Sequence, residues 1–159
     1  MEIKVGMADM NVCISPDSII TLGLGSCVGV VLYDPSTKIC GMVHVMLPDS
    51  TIIGSNKNVA KFADTGVKEL YNRVLAKGAR KERLVAKIAG GAQMFSANKN
   101  STSLNVGERN VAGVKKALRE LRIRVVAEDT GLNYGRTVTF FPETGDYLIR
   151  SIGKPDKTI

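Results

Sequence analysis

The chain has 159 residues, of which 44% are hydrophobic and 23% charged, and it carries a formal net charge of +7. This length and balance are typical of one globular domain over residues 1–159 and exclude a disordered chain. No apolar run approaches the ~20 residues of a membrane-spanning helix, and the first residues lack a signal-peptide pattern, so we expect a cytoplasmic protein without membrane insertion.

The first half of the chain predicts strands and one helix. Residues 3–12 and 19–21 favour strands, and residues 27–33 (CVGVVLY) and 39–47 (ICGMVHVML) are apolar runs rich in β-branched residues. The turn signal DPST at 34–37 joins these two runs into a predicted β-hairpin. Apolar residues at helical spacing predict a helix over 58–77, which Gly78 would terminate.

The second half of the chain also predicts strands and one helix. It predicts a helix over 106–121 and strands over 84–89, 123–127, 137–141 and 147–152, the last two joined across PETG at 142–145. Many strands with two helices predict an α/β fold built in layers.

The predicted hairpin brings a thiol and an imidazole together. If its turn is centred between Pro35 and Ser36, then Cys27 lies directly opposite His44, the only histidine of the chain. Directly opposed residues have Cβ atoms about 4.5–5.5 Å apart on one face of the sheet. We therefore expect the two side chains to be within hydrogen-bond reach.

This pairing favours a cysteine hydrolase that acts on an amide. A free thiol has a pKa of about 8.5, and an adjacent imidazole that takes its proton makes it a strong nucleophile. The preceding segment GLGS at 23–26 is rich in glycine, so the backbone N–H groups of Gly25 and Ser26 could form an oxyanion hole.

Other interpretations of these residues compete with this one. Cys27 and His44 could be buried core residues without chemistry. Cys40 and His44 have the spacing of a metal-ligand pair, but on a strand they would be ~13 Å apart at 3.3 Å per residue, so we expect no metal. The basic residues are spread along the chain without interleaved aromatics, which disfavours nucleic-acid binding. The first interpretation is a solvated basic surface, and the next is a surface that attracts an acidic protein partner.

A third group should orient the imidazole, and the residues leave its identity open. Asp34 would lie at the far end of the hairpin, and Ser26 is a further nearby side chain. Asp49 follows Pro48, where the strand must end, whereas Thr21 precedes the glycine loop that could fold it back towards His44. Thr21 and Asp49 therefore both remain candidates.

Several motifs together resemble one family. Residues 21–28 (TLGLGSCV) and 44–48 (HVMLP) closely resemble the chemoreceptor glutamine deamidase family, CheD. The stretches GGAQM at 90–94, GERN at 107–110 and DTG at 129–131, followed by Gly135 and Arg136, match in the same order. Leu132 stands where a second glycine is expected after Gly131. Whether Gly90, Gly91 and Arg136 line the site or turn the chain stays open.

The resemblance implies a fold and an activity. It implies a catalytic set of Cys27, His44 and Thr21, and a layered α/β/β sandwich similar to cytotoxic necrotizing factor-type deamidases. The implied reaction converts glutamine side chains of methyl-accepting chemotaxis receptors to glutamate through a cysteine thioester, with no cofactor. The implied partners are these receptors and a CheC-type phosphatase. A regulatory partner of that phosphatase with little catalysis, or a receptor glutamyl methylesterase, would be alternatives.

Overall fold

Two five-stranded sheets pack face to face, and two helices cover the other face of one sheet. The computed structural model describes residues 1–51, 58–94 and 105–159 of the chain. Within them the helices are α1 (Ala63–Lys77) and α2 (Val106–Glu120), and the strands are β1 (Glu2–Val5), β2 (Met10–Ile14), β3 (Ser18–Leu24), β4 (Val28–Asp34), β5 (Ile39–Val45), β6 (Val85–Gly90), β7 (Arg124–Thr130), β8 (Arg136–Phe141), β9 (Asp146–Arg150) and β10 (Lys157–Thr158).

The strand order explains the layers. One sheet has the order β1-β3-β8-β9-β10, and the other has the order β2-β5-β4-β6-β7. Every residue of β4 and β5 is buried, because one face of this second sheet meets the helices and the other face meets the first sheet. Strands covered on both faces read as continuous apolar runs. The predicted α/β/β layering is confirmed. No described helix has the length and apolar character to cross a membrane.

The predicted strand over 3–12 is two strands in different sheets. The chain leaves β1 at Gly6, whose N–H donates to the Asp9 carboxylate at 3.1 Å, and Ala8 adopts a positive φ of 52°. This turn carries the chain from the first sheet to β2 in the second. Gly6 and Asp9 were the local turn signal in the sequence.

The predicted helix over 58–77 begins later than expected. A short 3₁₀ turn over Val59–Lys61 precedes it, and Phe62 is extended with φ −112°. Phe62 forms a bridge with Leu47, which lies just beyond β5, and this tertiary pairing overrides helical periodicity. Gly78 caps α1 as predicted, with φ 124°.

The hairpin of β4 and β5 forms as predicted, but with a longer loop. Asp34 pairs with Ile39, so residues 35–38 lie in the loop. The Asp34 carboxylate accepts the N–H of Ser36 at 2.9 Å, and Lys38 takes a positive φ of 58°. These two features lengthen the turn by two residues and displace the register of the hairpin.

Asp34 is a fully buried carboxylate at this turn. Burial by itself raises its pKa. The Arg83 guanidinium, which binds both carboxylate oxygens at 2.9 and 3.0 Å, and the surrounding backbone N–H groups outweigh burial and hold the pKa of Asp34 well below its usual range. A carboxylate whose pKa is lower in the folded than in the unfolded state stabilises the fold at pH values above its unfolded-state pKa. This stability is lost as the pH falls towards its folded-state pKa.

We predict that Asp34→Asn lowers the free energy of unfolding at pH 7 by about 2–4 kcal/mol, because the Arg83 guanidinium loses its charged partner. Urea unfolding monitored by circular dichroism measures this loss. The difference from wild type should shrink below about pH 4, where the unfolded carboxylate is protonated. The exposed Glu120→Gln is the matched control and should change stability by less than about 0.5 kcal/mol. A pH-independent difference would contradict the assignment.

Candidate active site

His44 is fully buried on β5 and faces the first sheet. Its Nδ1 lies 2.7 Å from Thr21 Oγ1 on β3 of that sheet. Thr21 Oγ1 also donates to the Val5 carbonyl oxygen at 2.8 Å. Because a carbonyl oxygen can only accept, the threonine proton is used there, and Thr21 must accept a hydrogen bond from His44 Nδ1–H. The imidazole is therefore held in the tautomer whose Nε2 carries a lone pair.

Cys27 lies at the end of the bend between β3 and β4 and is 8% exposed. The prediction that it lies directly opposite His44 is wrong, because Gly29 occupies that position. The longer turn at Asp34 displaces the pairing by two residues, and a displacement of two keeps the same face of the sheet. Cys27 and His44 therefore both face the first sheet, as diagonal neighbours. Such neighbours have Cα atoms about 7–8 Å apart, within reach of long side chains.

His44 Nε2 is the part of the imidazole that remains available. It is buried and has no hydrogen-bond partner among the described residues, Cys27 included. A catalytic hydrogen bond is often long in a free enzyme and tightens only when substrate binds. The orphaned Nε2 on the face shared with the thiol is thus the arrangement expected of a general base.

The pKa shifts of Cys27 and His44 favour the uncharged form of each side chain. Burial raises the pKa of the Cys27 thiol, although its own N–H opposes this effect. Burial also lowers the pKa of His44. The sequence led us to expect a thiolate–imidazolium ion pair, but both shifts favour a thiol beside a neutral imidazole. Proton transfer to Nε2 would then accompany nucleophilic attack.

Backbone N–H groups around Cys27 differ in their availability. The Gly25 N–H donates to the Gly23 carbonyl oxygen at 3.1 Å. By contrast, no other described residue accepts a hydrogen bond from the N–H of Ser26 or Cys27. Of the two predicted oxyanion donors, Ser26 is therefore the one that is free, and the N–H of Cys27 joins it.

Gly90 and Gly91 hold the bend that contains Cys27. The Gly91 N–H donates to the Cys27 carbonyl oxygen at 2.8 Å, and the Ala92 N–H donates to that of Gly25 at 2.9 Å. A Cβ at Gly90 would lie 2.2 Å from the Cys27 carbonyl oxygen, and its φ of 111° also requires glycine. These glycines thus allow the backbone of residues 90–91 to approach that of Cys27 closely.

Arg136 is almost fully buried, and its side chain binds the end of β7 and the loop that follows it. Its guanidinium binds Asp129 at 3.0 Å and the Gly131 carbonyl oxygen at 3.1 Å. Leu132, at the position where a glycine was expected, takes a positive φ of 60° and accepts the Gln93 N–H at 2.9 Å. The loop therefore keeps the left-handed conformation that glycine would adopt more easily.

The other candidates lie elsewhere. Asp49 accepts hydrogen bonds from Thr51, and Asp34 is engaged by Arg83, so Thr21 is the residue that contacts the imidazole. The Cys40 thiol lies 3.5 Å from that of Cys13, its direct partner on β2. Among the described residues no three metal-ligating side chains cluster.

Sequence reasoning missed the role of Asn110 on α2. Its side chain is fully buried and donates to the carbonyl oxygens of Ser26 at 2.8 Å and Met46 at 3.0 Å. Its place in the GERN motif was a signal, but only the packing of α2 against β4 reveals what its amide contacts.

Comparison with known proteins identifies the family. The model of the family described as CheD chemotactic sensory transduction matches residues 46–151. A protein of Lachnoclostridium phytofermentans named "Probable chemoreceptor glutamine deamidase CheD" is 66% identical over 99% of this chain and 98% of its own length. "Chemoreceptor glutamine deamidase CheD" of Halalkalibacterium halodurans is 51% identical over 99% of this chain and 98% of its own length. The chain therefore belongs to the CheD family.

The relatives match the chain over the residues of the candidate site, whereas the family model does not. The family model begins at Met46 and does not reach Thr21, Cys27 or His44. A relative from Caldanaerobacter subterraneus subsp. tengcongensis, 54% identical, also covers 99% of this chain and so spans the site. Membership in the family therefore extends over the segment that contains the candidate residues.

We predict that the tautomer of His44 can be read directly, because it is the only histidine. Long-range ¹H–¹⁵N NMR at neutral pH should show a protonated Nδ1 and an unprotonated Nε2. Its titration midpoint should lie below the ordinary value of about 6.5. Thr21→Val removes the acceptor and should populate the other tautomer, whereas Thr21→Ser, which keeps the hydroxyl, should not. A protonated Nε2 in the wild type would contradict the assignment.

Proposed function

We propose that this chain deamidates glutamine side chains of chemoreceptors and that Cys27 is the nucleophile. The names of its relatives supply the substrate class. The observation that carries the proposal is the imidazole of His44, which Thr21 holds with a free Nε2 on the face it shares with Cys27. We further propose that residues 1–159 act as one domain in the cytoplasm.

The reaction would begin with attack of Cys27 Sγ on the carboxamide carbon while His44 Nε2 takes the thiol proton. The N–H groups of Ser26 and Cys27 would bind the developing oxyanion. The imidazolium would return its proton to the departing ammonia, which leaves a glutamyl thioester. His44 would then deprotonate water, and hydrolysis of the thioester would release glutamate and restore the thiol.

The surroundings of Cys27 support a protein substrate. Met94 packs against Gly25, two residues before Cys27, and is 45% exposed. Leu132 is 63% exposed, and its carbonyl oxygen accepts the N–H of Gln93, the residue before Met94. Exposed apolar side chains grouped on a surface are typical of a protein-binding site. The net charge of +7 also suits an acidic receptor helix.

We predict that incubation with a receptor cytoplasmic fragment releases one ammonia per converted glutamine and adds about 1 Da at each site. Ammonia assay and peptide mass spectrometry measure the two products. Cys27→Ala should abolish both, since the nucleophile is removed. Cys13→Ala, which removes a buried thiol outside the site, is the matched control and should remain active.

Two outcomes would overturn this assignment. Full activity of Cys27→Ala would exclude the thiol as nucleophile. Methanol release from methylated receptor, without ammonia from the unmethylated form, would indicate a glutamyl methylesterase with the same residues instead.

We also propose a CheC-type phosphatase as a partner, because the family resemblance implies this interaction. The exposed Met94 and Leu132 would contribute to the contact. We predict that Leu132→Ser weakens binding at least about tenfold by isothermal titration calorimetry, while Cys27→Ala leaves it unchanged. Ile14→Ser is the control, because Ile14 is exposed on β2 and pairs with Ile39 at the turn end of the hairpin, away from Cys27. Unchanged binding by Leu132→Ser would place the contact elsewhere.

A further inference from the structure

Asn110 bridges the two segments that carry the proposed nucleophile and base. Its side-chain nitrogen donates to Ser26 O, in the bend before Cys27, and to Met46 O, just beyond the strand of His44. Both contacts are carbonyl oxygens, so only the NH₂ group can face them and the orientation of the amide is determined. The remaining oxygen, Oδ1, is buried and has no partner among the described residues.

The contact with Ser26 fixes more than one atom. The carbonyl of Ser26 and the N–H of Cys27 belong to one planar trans peptide group, in which they point in opposite directions. Because Asn110 holds the carbonyl oxygen towards α2, the N–H of Cys27 must point away from that helix. It lies beside the Cys27 thiol, and no other described residue accepts it.

The next peptide group is held as well. The Cys27 carbonyl oxygen accepts the Gly91 N–H at 2.8 Å. The peptide groups on both sides of the Cys27 Cα are therefore fixed, one by a side chain and one by backbone. A hydrogen bond to the Ser26 carbonyl also polarises its peptide group and strengthens the N–H as a donor.

We propose that Asn110 is a positioning residue that aims the Cys27 N–H at the oxyanion of the tetrahedral intermediate. Its second hydrogen bond, to Met46, holds the same bend against the end of β5 and so against His44. This inference rests on the proposed deamidation, in which Cys27 attacks a carboxamide. Asn110 itself is not expected to touch the substrate.

The test compares two reactions of the same thiol. Ammonia release from a receptor fragment passes through an oxyanion, whereas alkylation by iodoacetamide forms an S–C bond by direct displacement of iodide and needs no oxyanion donor. We expect Asn110→Ala and Asn110→Asp to lower kcat for ammonia release about 10²–10³-fold, the usual loss of one oxyanion donor. The KM and the rate of Cys27 alkylation should change by about twofold at most.

Two further variants separate positioning from packing. Asn110→Gln keeps the NH₂ group on a longer side chain and should recover part of kcat. Val114→Ala removes packing on the same buried face of α2, one turn further along, where the side chain cannot donate a hydrogen bond to Ser26. It should lower the melting temperature but leave kcat within about twofold.

Parallel loss of alkylation and ammonia release in the Asn110 variants would overturn the proposal in favour of a purely structural role, and so would unchanged kcat.

If the wild type releases no ammonia, the proposed function fails instead. Propionaldehyde, which has the length of a glutamine side chain, then tests Asn110 independently. Its adduct forms when Sγ bonds to the carbonyl carbon and the thiol proton moves to the oxygen. Asn110→Ala should weaken protection of Cys27 by propionaldehyde against alkylation, and equal protection would overturn the positioning role.

Discussion

The hydrogen bond between Thr21 Oγ1 and His44 Nδ1 joins the two sheets at the candidate site, and the rest of the site depends on it. Thr21 accepts from the imidazole rather than donating to it, because its own proton is used by the Val5 carbonyl oxygen on β1. Three strands from two sheets therefore determine which nitrogen of His44 is free. The buried imidazole thereby has a defined tautomer with a hydroxyl as its partner, and burial lowers its pKa and so favours its neutral form.

The backbone around Cys27 is positioned by close contacts that only small residues permit. Gly90 comes so near to the Cys27 carbonyl oxygen that any side chain would displace the bend. Gly29, opposite His44, leaves room for the Tyr147 hydroxyl, which donates to the Gly29 carbonyl oxygen at 2.9 Å. These contacts explain why glycines cluster at the junction of the two sheets. They hold the bend at the candidate nucleophile by close backbone contacts and hydrogen bonds.

The sequence predicted the central hairpin and both helices because their signals are local. Apolar runs identify β4 and β5, and helical spacing with Gly78 identifies α1. The register failed because the Asp34 carboxylate accepts the N–H of Ser36 and Lys38 takes a positive φ, which lengthen the turn. The same carboxylate is bound by Arg83, and a contact between segments far apart in the chain is not revealed by a local pattern. The late start of α1 has the same origin, since Phe62 pairs with Leu47.

By itself the sequence determined the layered fold class, the family and the residue types of a thiol, an imidazole and a hydroxyl. These follow from local periodicity and from motifs that are continuous along the chain. Only the tertiary structure decided that His44 faces Gly29 instead of Cys27, that Thr21 and not Asp49 contacts the imidazole, and that Asn110 reaches the bend before Cys27. The physical reason is that each of these contacts joins separate elements, and the packing of the two sheets and α2 sets their geometry.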